Sequence, residues 1–401
     1  MLNLSTTLND PTADEMVERA ARLAPMIREH AAEGEKNRRV PATVIGAMRE
    51  GGFFRMAQPK RYGGMELDHA TIIRCLMNWS PADASSAWVG GLAIVHQWMI
   101  ALFPPEAQED IWGPDPDAIT CGSYAPAGKC ERLEGGFRIS GTWLYASGVD
   151  HGDWGLLGAL LPQADGGLEP GFVIVPRDQF RIDATWDPMG LAATGSNDLI
   201  CRDVFVPQHH AITFAQLASG AAPGTTVNTN PLYRYPMLSY VAYVIATPAL
   251  GCLQGALDQF IEQADNWTTR GAVVRGGTNV AEYQSVQMRV GAAAGALRAA
   301  KAMLWAQIDT SHQTVMVEGK TLDIAERMDH RITQAYIVHL ALEGLEQLWG
   351  AVGGAGIHKT EYIQRAWRDA HAVSHHVSFN WDALSSMYGQ HLLGVEPQGQ
   401  Y

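Results

Sequence analysis

Two short stretches concentrate the side chains that could move protons or hold a planar ring. In the first, Trp143-Leu-Tyr-Ala-Ser147-Gly148, an indole and a hydroxyl stand four residues apart at the end of a β-rich run. A serine before a glycine at a strand end is ordinarily turn chemistry, so taken alone it indicates a hydroxyl at a bend. The second, Arg365-Ala-Trp367-Arg368-Asp369-Ala-His371-Ala-Val-Ser-His375-His376, carries three imidazoles. His371 and His375 have the spacing of a metal pair on one helix face, but no H-E-x-x-H or E-x-x-H carboxylate accompanies them, so no metal is expected. Adjacent residues of a helix diverge by about 100°, so only one of His375 and His376 would enter a given cavity. His96 lies in an apolar run beside Val95 and Trp98, where a hydrogen-bonded core histidine is the ordinary outcome. Ser123, in Cys121-Gly-Ser123-Tyr124, reads as a loop hydroxyl. The glycines of Trp349-Gly-Ala-Val-Gly353-Gly354-Ala-Gly356 follow a helical pattern instead of a strand, which excludes a dinucleotide-binding turn and indicates a helix terminus.

The elements that position these groups follow from periodicity. Asp10-Pro11 reads as a cap and first-turn proline, after which Val17, Ala20, Ala21, Ala24 and Ile27 recur at helical spacing. A second helix is predicted from Pro41 to Gly51-Gly52. A third begins at Ser80-Pro81, has Asp83 in its first turn, and runs to Leu102 before Pro104-Pro105 end it. From Ala118 to Phe214 short runs such as Phe137–Ser140, Trp154–Leu161, Phe172–Val175 and Leu199–Val206 alternate with Gly-Gly, Pro-Arg-Asp and Asp-Pro turns, the pattern of strands. After a polar connector at 219–231, long helices are predicted at Tyr240–Trp267, Ala281–Ile308, Thr321–Trp349 and Tyr362–Leu393. The expected fold is α+β and mostly α, with a helical domain at 1–115, a β domain at 116–218 and a helical bundle at 219–401.

Composition bounds the function. The 401 residues are 47% hydrophobic and 18% charged, a globular chain long enough for two or three domains. Net charge is -13 and basic residues do not cluster, so neither nucleic acid nor an anionic membrane finds an electrostatic partner. No run of 18 apolar residues and no basic-then-apolar start occurs, so a cytoplasmic chain is expected. Five scattered cysteines without a C-x-x-C read as buried thiols.

The order of helical domain, β domain and bundle, joined with particular motifs, resembles the acyl-CoA dehydrogenase superfamily over nearly the whole chain. The motifs are Arg61-Tyr62-Gly63-Gly64, Trp143 to Gly148, the segment from Met189 through Thr194-Gly195-Ser196 to Asp198, Val204-Phe205-Val206-Pro207, Gly353-Gly354-Ala-Gly356, and Arg368-Asp369-Ala370. The resemblance implies a middle domain like a β-barrel and a four-helix bundle that assembles tetramers. One departure redirects the function. Where such dehydrogenases carry a glutamate base about eight residues after the Arg-Asp aspartate, this chain has His376-Val377, and Pro231 to Leu257, the family's other location for a base, contains no Asp or Glu.

A histidine there, with a Trp-x-x-x-Ser-Gly serine, resembles the group D two-component flavin monooxygenases that act on p-hydroxyphenylacetate, steroid-derived phenols, dibenzothiophene and indoles. That resemblance implies reduced FAD or FMN supplied by a separate flavin reductase, O2 as oxidant, a C4a-hydroperoxyflavin, and insertion of one oxygen atom into an aromatic small molecule. It also implies roles. Ser147 would sit at the flavin N5. His376, with His375 as second choice, would donate to the peroxide, and Trp143 would border the isoalloxazine. His96 would orient or deprotonate the substrate, and Ser123 would bond substrate or flavin edge. Arg270, Gly353 and Gly354 would meet the phosphate or adenine end. The alternatives are an acyl-CoA dehydrogenase with a displaced base and a non-catalytic helical or metal-binding assembly.

Overall fold

Thr12, not the Asp10-Pro11 pair, caps the first helix. Its hydroxyl accepts the Glu15 N–H and the Glu15 carboxylate accepts the Thr12 N–H, which satisfies two donors a helix start leaves unpaired. The computed structural model describes residues 11–264, 267 and 279–401. Helix α1 (Ala13–Asn37) buries Met16, Ala20, Leu23 and Ile27 along one stripe, and α2 (Ala42–Glu50) follows. Helix α3 (His69–Trp79) escaped the periodicity reading. Asp83 is the cap of α4 (Ala84–Ile100), not a first-turn residue, and its carboxylate accepts the Ser86 N–H. Pro105 opens a further helix, α5 (Pro105–Trp112), because its fixed φ suits a first helical position.

Eight strands follow: β1 (Thr120–Ser123), β2 (Lys129–Leu133), β3 (Gly136–Ala146), β4 (Trp154–Pro162), β5 (Leu168–Pro176), β6 (Arg181–Asp183), β7 (Asn197–Pro207) and β8 (Ala211–Thr213). They form two four-stranded sheets, β1-β4-β5-β8 and β2-β3-β7-β6, which enclose Phe137, Ile139, Trp143, Leu157, Val173 and Leu199. The register of β3 on β7 slips between Trp143 and Ala146, a bulge that turns Leu144 and Tyr145 outward and places Tyr145 at φ 63°.

The short α6 (Phe214–Ala218) leads to α7 (Met237–Ala264), α8 (Gln284–His312), α9 (Ile324–Trp349), α10 (Tyr362–Ser374) and α11 (Trp381–Leu392). Helix α7 is apolar enough to cross a membrane by composition, but 89% of its apolar window is buried inside the molecule. It is the axis of a core that Trp79 and Trp98 of the first helices share with Tyr240, Val244 and Leu253 of the bundle. The two helical regions are thus one hydrophobic body, while the β segment keeps its own core.

The single helix expected over Tyr362–Leu393 is two helices. Helix α10 stops at Ser374, His376 is extended at φ -67° and ψ 140°, and Asn380 caps α11 by accepting the Ala383 N–H. Side chains that capture nearby backbone N–H groups compete with the helical ladder, and His376 and Asn380 both do so.

Candidate active site

Ser147 follows the last residue of β3 and pairs across to Gly122 of β1, which brings the ends of two strands under α4. Its Oγ accepts the Trp88 indole N–H at 3.1 Å and lies 2.8 Å from Ser196 Oγ, itself 2.7 Å from Thr194 Oγ1. The Thr194 hydroxyl donates to the Leu191 carbonyl at 2.8 Å. A carbonyl only accepts, so Thr194 has its proton committed and the direction of the chain is fixed from that end, while the indole N–H occupies one Ser147 lone pair. Ser196 donates to Thr194 and Ser147 donates to Ser196. One lone pair of Ser147 Oγ remains for a ligand, and it can only accept.

His376 offers the opposite sense. Its Nδ1 accepts the Ser378 N–H at 3.2 Å, which leaves the ring proton on Nε2. The ring packs edge-on against Trp88, centroids 5.5 Å apart, and burial pushes its pKa down to about 4. It is therefore a neutral N–H donor beside the indole that holds Ser147. His375 is exposed, and its Nδ1 turns back to the His371 carbonyl at 2.8 Å. The two histidines are separated by the end of α10, not by a 100° step along a continuing helix.

His96 lies on α4, its Nδ1 2.7 Å from the Thr120 carbonyl, so Nδ1 carries the proton and Nε2 presents a lone pair. Burial holds its pKa down at about 4. Gly122 is required here: a Cβ would come within 2.9 Å of the Leu156 carbonyl and 3.3 Å of the His96 ring. Ser123 spends its proton on the Leu144 carbonyl at 2.7 Å and is likewise left as an acceptor.

Trp143 departs from its expected place against a planar ring. It is fully buried between the sheets and its indole N–H bonds the Gly158 carbonyl at 2.7 Å, so it shows no face to a ligand and anchors β3 behind Ser147. The apolar side chains exposed on that strand are Leu144 and Tyr145, the latter edge-on to Trp186 at 6.0 Å. Arg270 lies outside the described residues. Gly353 and Gly354 are exposed between α9 and α10, beside a groove of about 570 Å³ lined by Phe260, Trp267, Val352 and Gly356.

The Arg368-Asp369 pair is a clamp. Arg368 donates to the Met189 carbonyl and to Glu35, each at 2.6 Å, and Asp369 accepts the Leu191 N–H at 2.6 Å. Burial raises Asp369 to about 7. The clamp fixes the segment carrying Thr194 and Ser196. These two and Trp88 are the site residues that sequence reasoning did not single out; the Thr-Gly-Ser spacing was the available signal, whereas Trp88 reads as one more core tryptophan. His371 pairs with Glu346 at 3.0 Å, which uses up the metal-like spacing with His375. Among the described residues one group has metal-site proximity, Asp110 with His209 and His210 at 2.8 and 2.9 Å, and it joins α5 to the β7–β8 link away from Ser147.

A hydroxyl with an unused lone pair, an N–H donor and apolar side chains exposed on the same strand end suit a flat heterocycle with one ring N–H. Known proteins resemble the chain over nearly its whole length. The acyl-CoA dehydrogenase N-terminal domain family matches residues 11–115 and the corresponding C-terminal domain family matches residues 243–381. The chain is 39% identical, over 96% of both chains, to the "FADH(2)-dependent resorcinol hydroxylase, oxygenase component" of Rhizobium sp. (strain MTP-10005). It is 32% identical, over 94% of this chain and 98% of the relative, to the "flavin-dependent monooxygenase, oxygenase subunit HsaA" of Rhodococcus jostii (strain RHA1). Among solved structures, 3-HSA hydroxylase from Rhodococcus sp. RHA1 superposes with a TM-score of 0.90 at 31% identity, covering 97% of this chain and 99% of that one. XiaF from Streptomyces sp., in complex with FADH2 and glycerol, gives 0.89 at 28% identity and 97% of both chains.

Proposed function

Because the chain belongs to the acyl-CoA dehydrogenase family, and within it to the flavin-dependent oxygenase components, we propose that it is the oxygenase half of a two-component monooxygenase. It transfers one oxygen atom of O2 to an aromatic small molecule, with reduced flavin delivered by a separate reductase. We assign reduced FAD as the preferred cofactor, the one named for the 39%-identical relative, with reduced FMN as the alternative. The single observation that carries this reading is His376, a neutral N–H donor where a dehydrogenase needs a carboxylate base. The buried carboxylates near α10, Asp83 and Asp369, are engaged by the Ser86 and Leu191 backbones and are not free to abstract a proton.

Bound reduced flavin supplies the two electrons that activate O2. The residues do the rest. Ser147 Oγ would accept a ring N–H of the bound flavin and so hold that proton in place, which disfavours release of hydrogen peroxide. His376 would offer its Nε2–H to the reacting oxygen, stabilising charge where it develops. His96 Nε2 accepts an O–H or N–H of the substrate, and Ser123 accepts a second polar contact. Arg270, Gly353 and Gly354 meet the phosphate or adenine end across a subunit contact, in a cytoplasmic homotetramer that engages neither nucleic acid nor membrane.

The test is a comparison of electron donors. The purified protein should consume O2 productively only when a reductase or chemical donor supplies reduced FAD or FMN. Tightly bound oxidised FAD that an acyl-CoA bleaches would sink the reading.

A further inference from the structure

Asp110 lies in the last turn of α5, and His209 and His210 stand in the one-turn link Gln208–His210 between β7 and β8. Both imidazole Nε2 atoms reach the same carboxylate oxygen, Asp110 Oδ2, at 2.8 and 2.9 Å. Consecutive residues of a 3₁₀ turn diverge by about 120°, so it is the rings that make this convergence, standing at 82° to one another with centroids 4.6 Å apart. His210 is also held by Trp154, edge-on at 5.8 Å. The register of β5 on β8, Phe172 against Ile212 and Val173 against Ala211, continues to Ile174 against His210, and the Ile174 backbone hydrogen-bonds the His210 ring.

A neutral imidazole carries one N–H. His210 spends it on the Ile174 carbonyl, so its Nε2 lone pair meets the lone pairs of Asp110 at 2.9 Å. Two acceptors at that distance need positive charge between them. On the ring itself that charge would lose its hydration, because the His210 side chain is 7% exposed. A divalent cation supplies it to all three ligand atoms, which lie within 4.8 Å of one another. A ring N–H on a backbone carbonyl is also the usual arrangement behind a metal-bound histidine. Two imidazoles and a carboxylate suit an ion such as Zn2+, whereas Mg2+ and Ca2+ take oxygen ligands. Tetrahedral ligands of zinc stand about 3.3 Å apart, so the rings need to open by only about half an ångström. His209 borders a groove of about 450 Å³ together with Glu106, one turn before Asp110 on the same face of α5, which leaves room for a fourth ligand.

We propose that Asp110, His209 and His210 bind one divalent cation of the zinc kind, a structural site that ties the first helical region to the β segment. Helix α5 belongs to the former and the β7–β8 link to the latter, so the ion joins parts that are 99 residues apart in sequence for His209. The site is separate from Ser147 and His376 and takes no part in oxygen transfer.

The probe is Zn2+, with Co2+ as its visible counterpart, added to the full chain after treatment with a chelator. The wild type should retain a single Zn2+ per chain through gel filtration and melt at a higher temperature with the ion than without it. Co2+ in its place should give the intense visible absorption of a tetrahedral site. Asp110→Asn and His209→Gln change side chains that are 49% and 34% exposed, so both variants should fold as the wild type does. Each removes a direct ligand and should weaken Zn2+ binding by about 100-fold or more, the upper end of what losing a partner behind a ligand costs. Zn2+ binding undiminished in both variants overturns the proposal, because the ion then sits elsewhere. A wild type that retains no Zn2+ and melts at the same temperature with and without it overturns it too, and leaves the three side chains as a hydrogen-bonded pin. If the variants do not fold, the wild-type Co2+ spectrum decides: the weak absorption of six oxygen ligands overturns the proposal, and the tetrahedral band upholds it.

Discussion

Ser147 and His376 share Trp88 as a neighbour and have opposite hydrogen-bonding sense, acceptor and donor, which the proposed function assigns to one flavin. Losing a preorganised donor in a dry site costs about 10²-fold or more, so His376→Ala should lower product formation by that factor with the fold intact. His375→Ala should change it little, because that ring faces solvent. Product and peroxide yields per flavin oxidised check both, and the reverse ranking would move the role to His375. Ser147→Ala removes one hydrogen bond of about 1–3 kcal/mol, so peroxide release should accelerate by roughly 5- to 150-fold. Ser196→Ala leaves Ser147 in place but frees its proton to rotate, and an intermediate loss of coupling is expected; unchanged coupling would remove the relay from the mechanism. Residue type and order made Ser147, His96, Ser123 and His376 legible as candidates, and their hydrogen bonds give each a definite donor or acceptor sense. It could not reach the polarity of the relay, which depends on hydroxyls from segments 49 residues apart.

At the scale of elements, what was legible were the patterns local to one stretch: the strand run, the long helices α7, α8 and α9, the glycine turn after α9. Breaks made by side-chain capture were not legible. The helix expected through His375 and His376 ends because His376 and Asn380 bond backbone N–H groups, and a 3.6-residue period contains no record of that. Trp143 misled for a related reason. Trp143 keeps the inward phase of Phe137 and Ile139, so its indole enters the sheet core, and the bulge that follows turns Leu144 and Tyr145 out. The loop carrying Thr194 and Ser196 depends on α10, and Gly190 marks the close approach: a Cβ there would lie 2.2 Å from the Arg368 carbonyl. Gly190→Ala should cost about 1–3 kcal/mol by overpacking and, by shifting the loop, raise peroxide leakage as well as lower the melting temperature. Full coupling in a destabilised variant would mean that the clamp serves stability alone.

Across the whole molecule, burial imposes a pH dependence. His69 is held near 3, and His96, His330 and His376 near 4, against an ordinary value of about 6.5. The folded state keeps these rings neutral, so between pH 6.5 and 4 the unfolded chain binds more protons. Each histidine's contribution is present above about 6.5 and is lost as pH falls, at about 1.4 kcal/mol per pH unit for each proton. Asp369, raised to about 7, and Asp83, also raised by burial, act in the opposite direction but are fewer. The melting temperature should therefore fall on acidification from 6.5 towards 4; a flat or rising trend would contradict the burial of these rings.

The most direct measurement mixes anaerobic protein and reduced FAD with isotopically labelled O2 in the presence of a phenol, then counts labelled product and hydrogen peroxide per flavin oxidised. Wild type should place one labelled oxygen on the ring with little peroxide, Ser147→Ala should shift the yield to peroxide, and His376→Ala should form little product. Peroxide without labelled product from the wild type across a panel of phenols and indoles, or coupling unaffected by either substitution, would contradict oxygen transfer between Ser147 and His376.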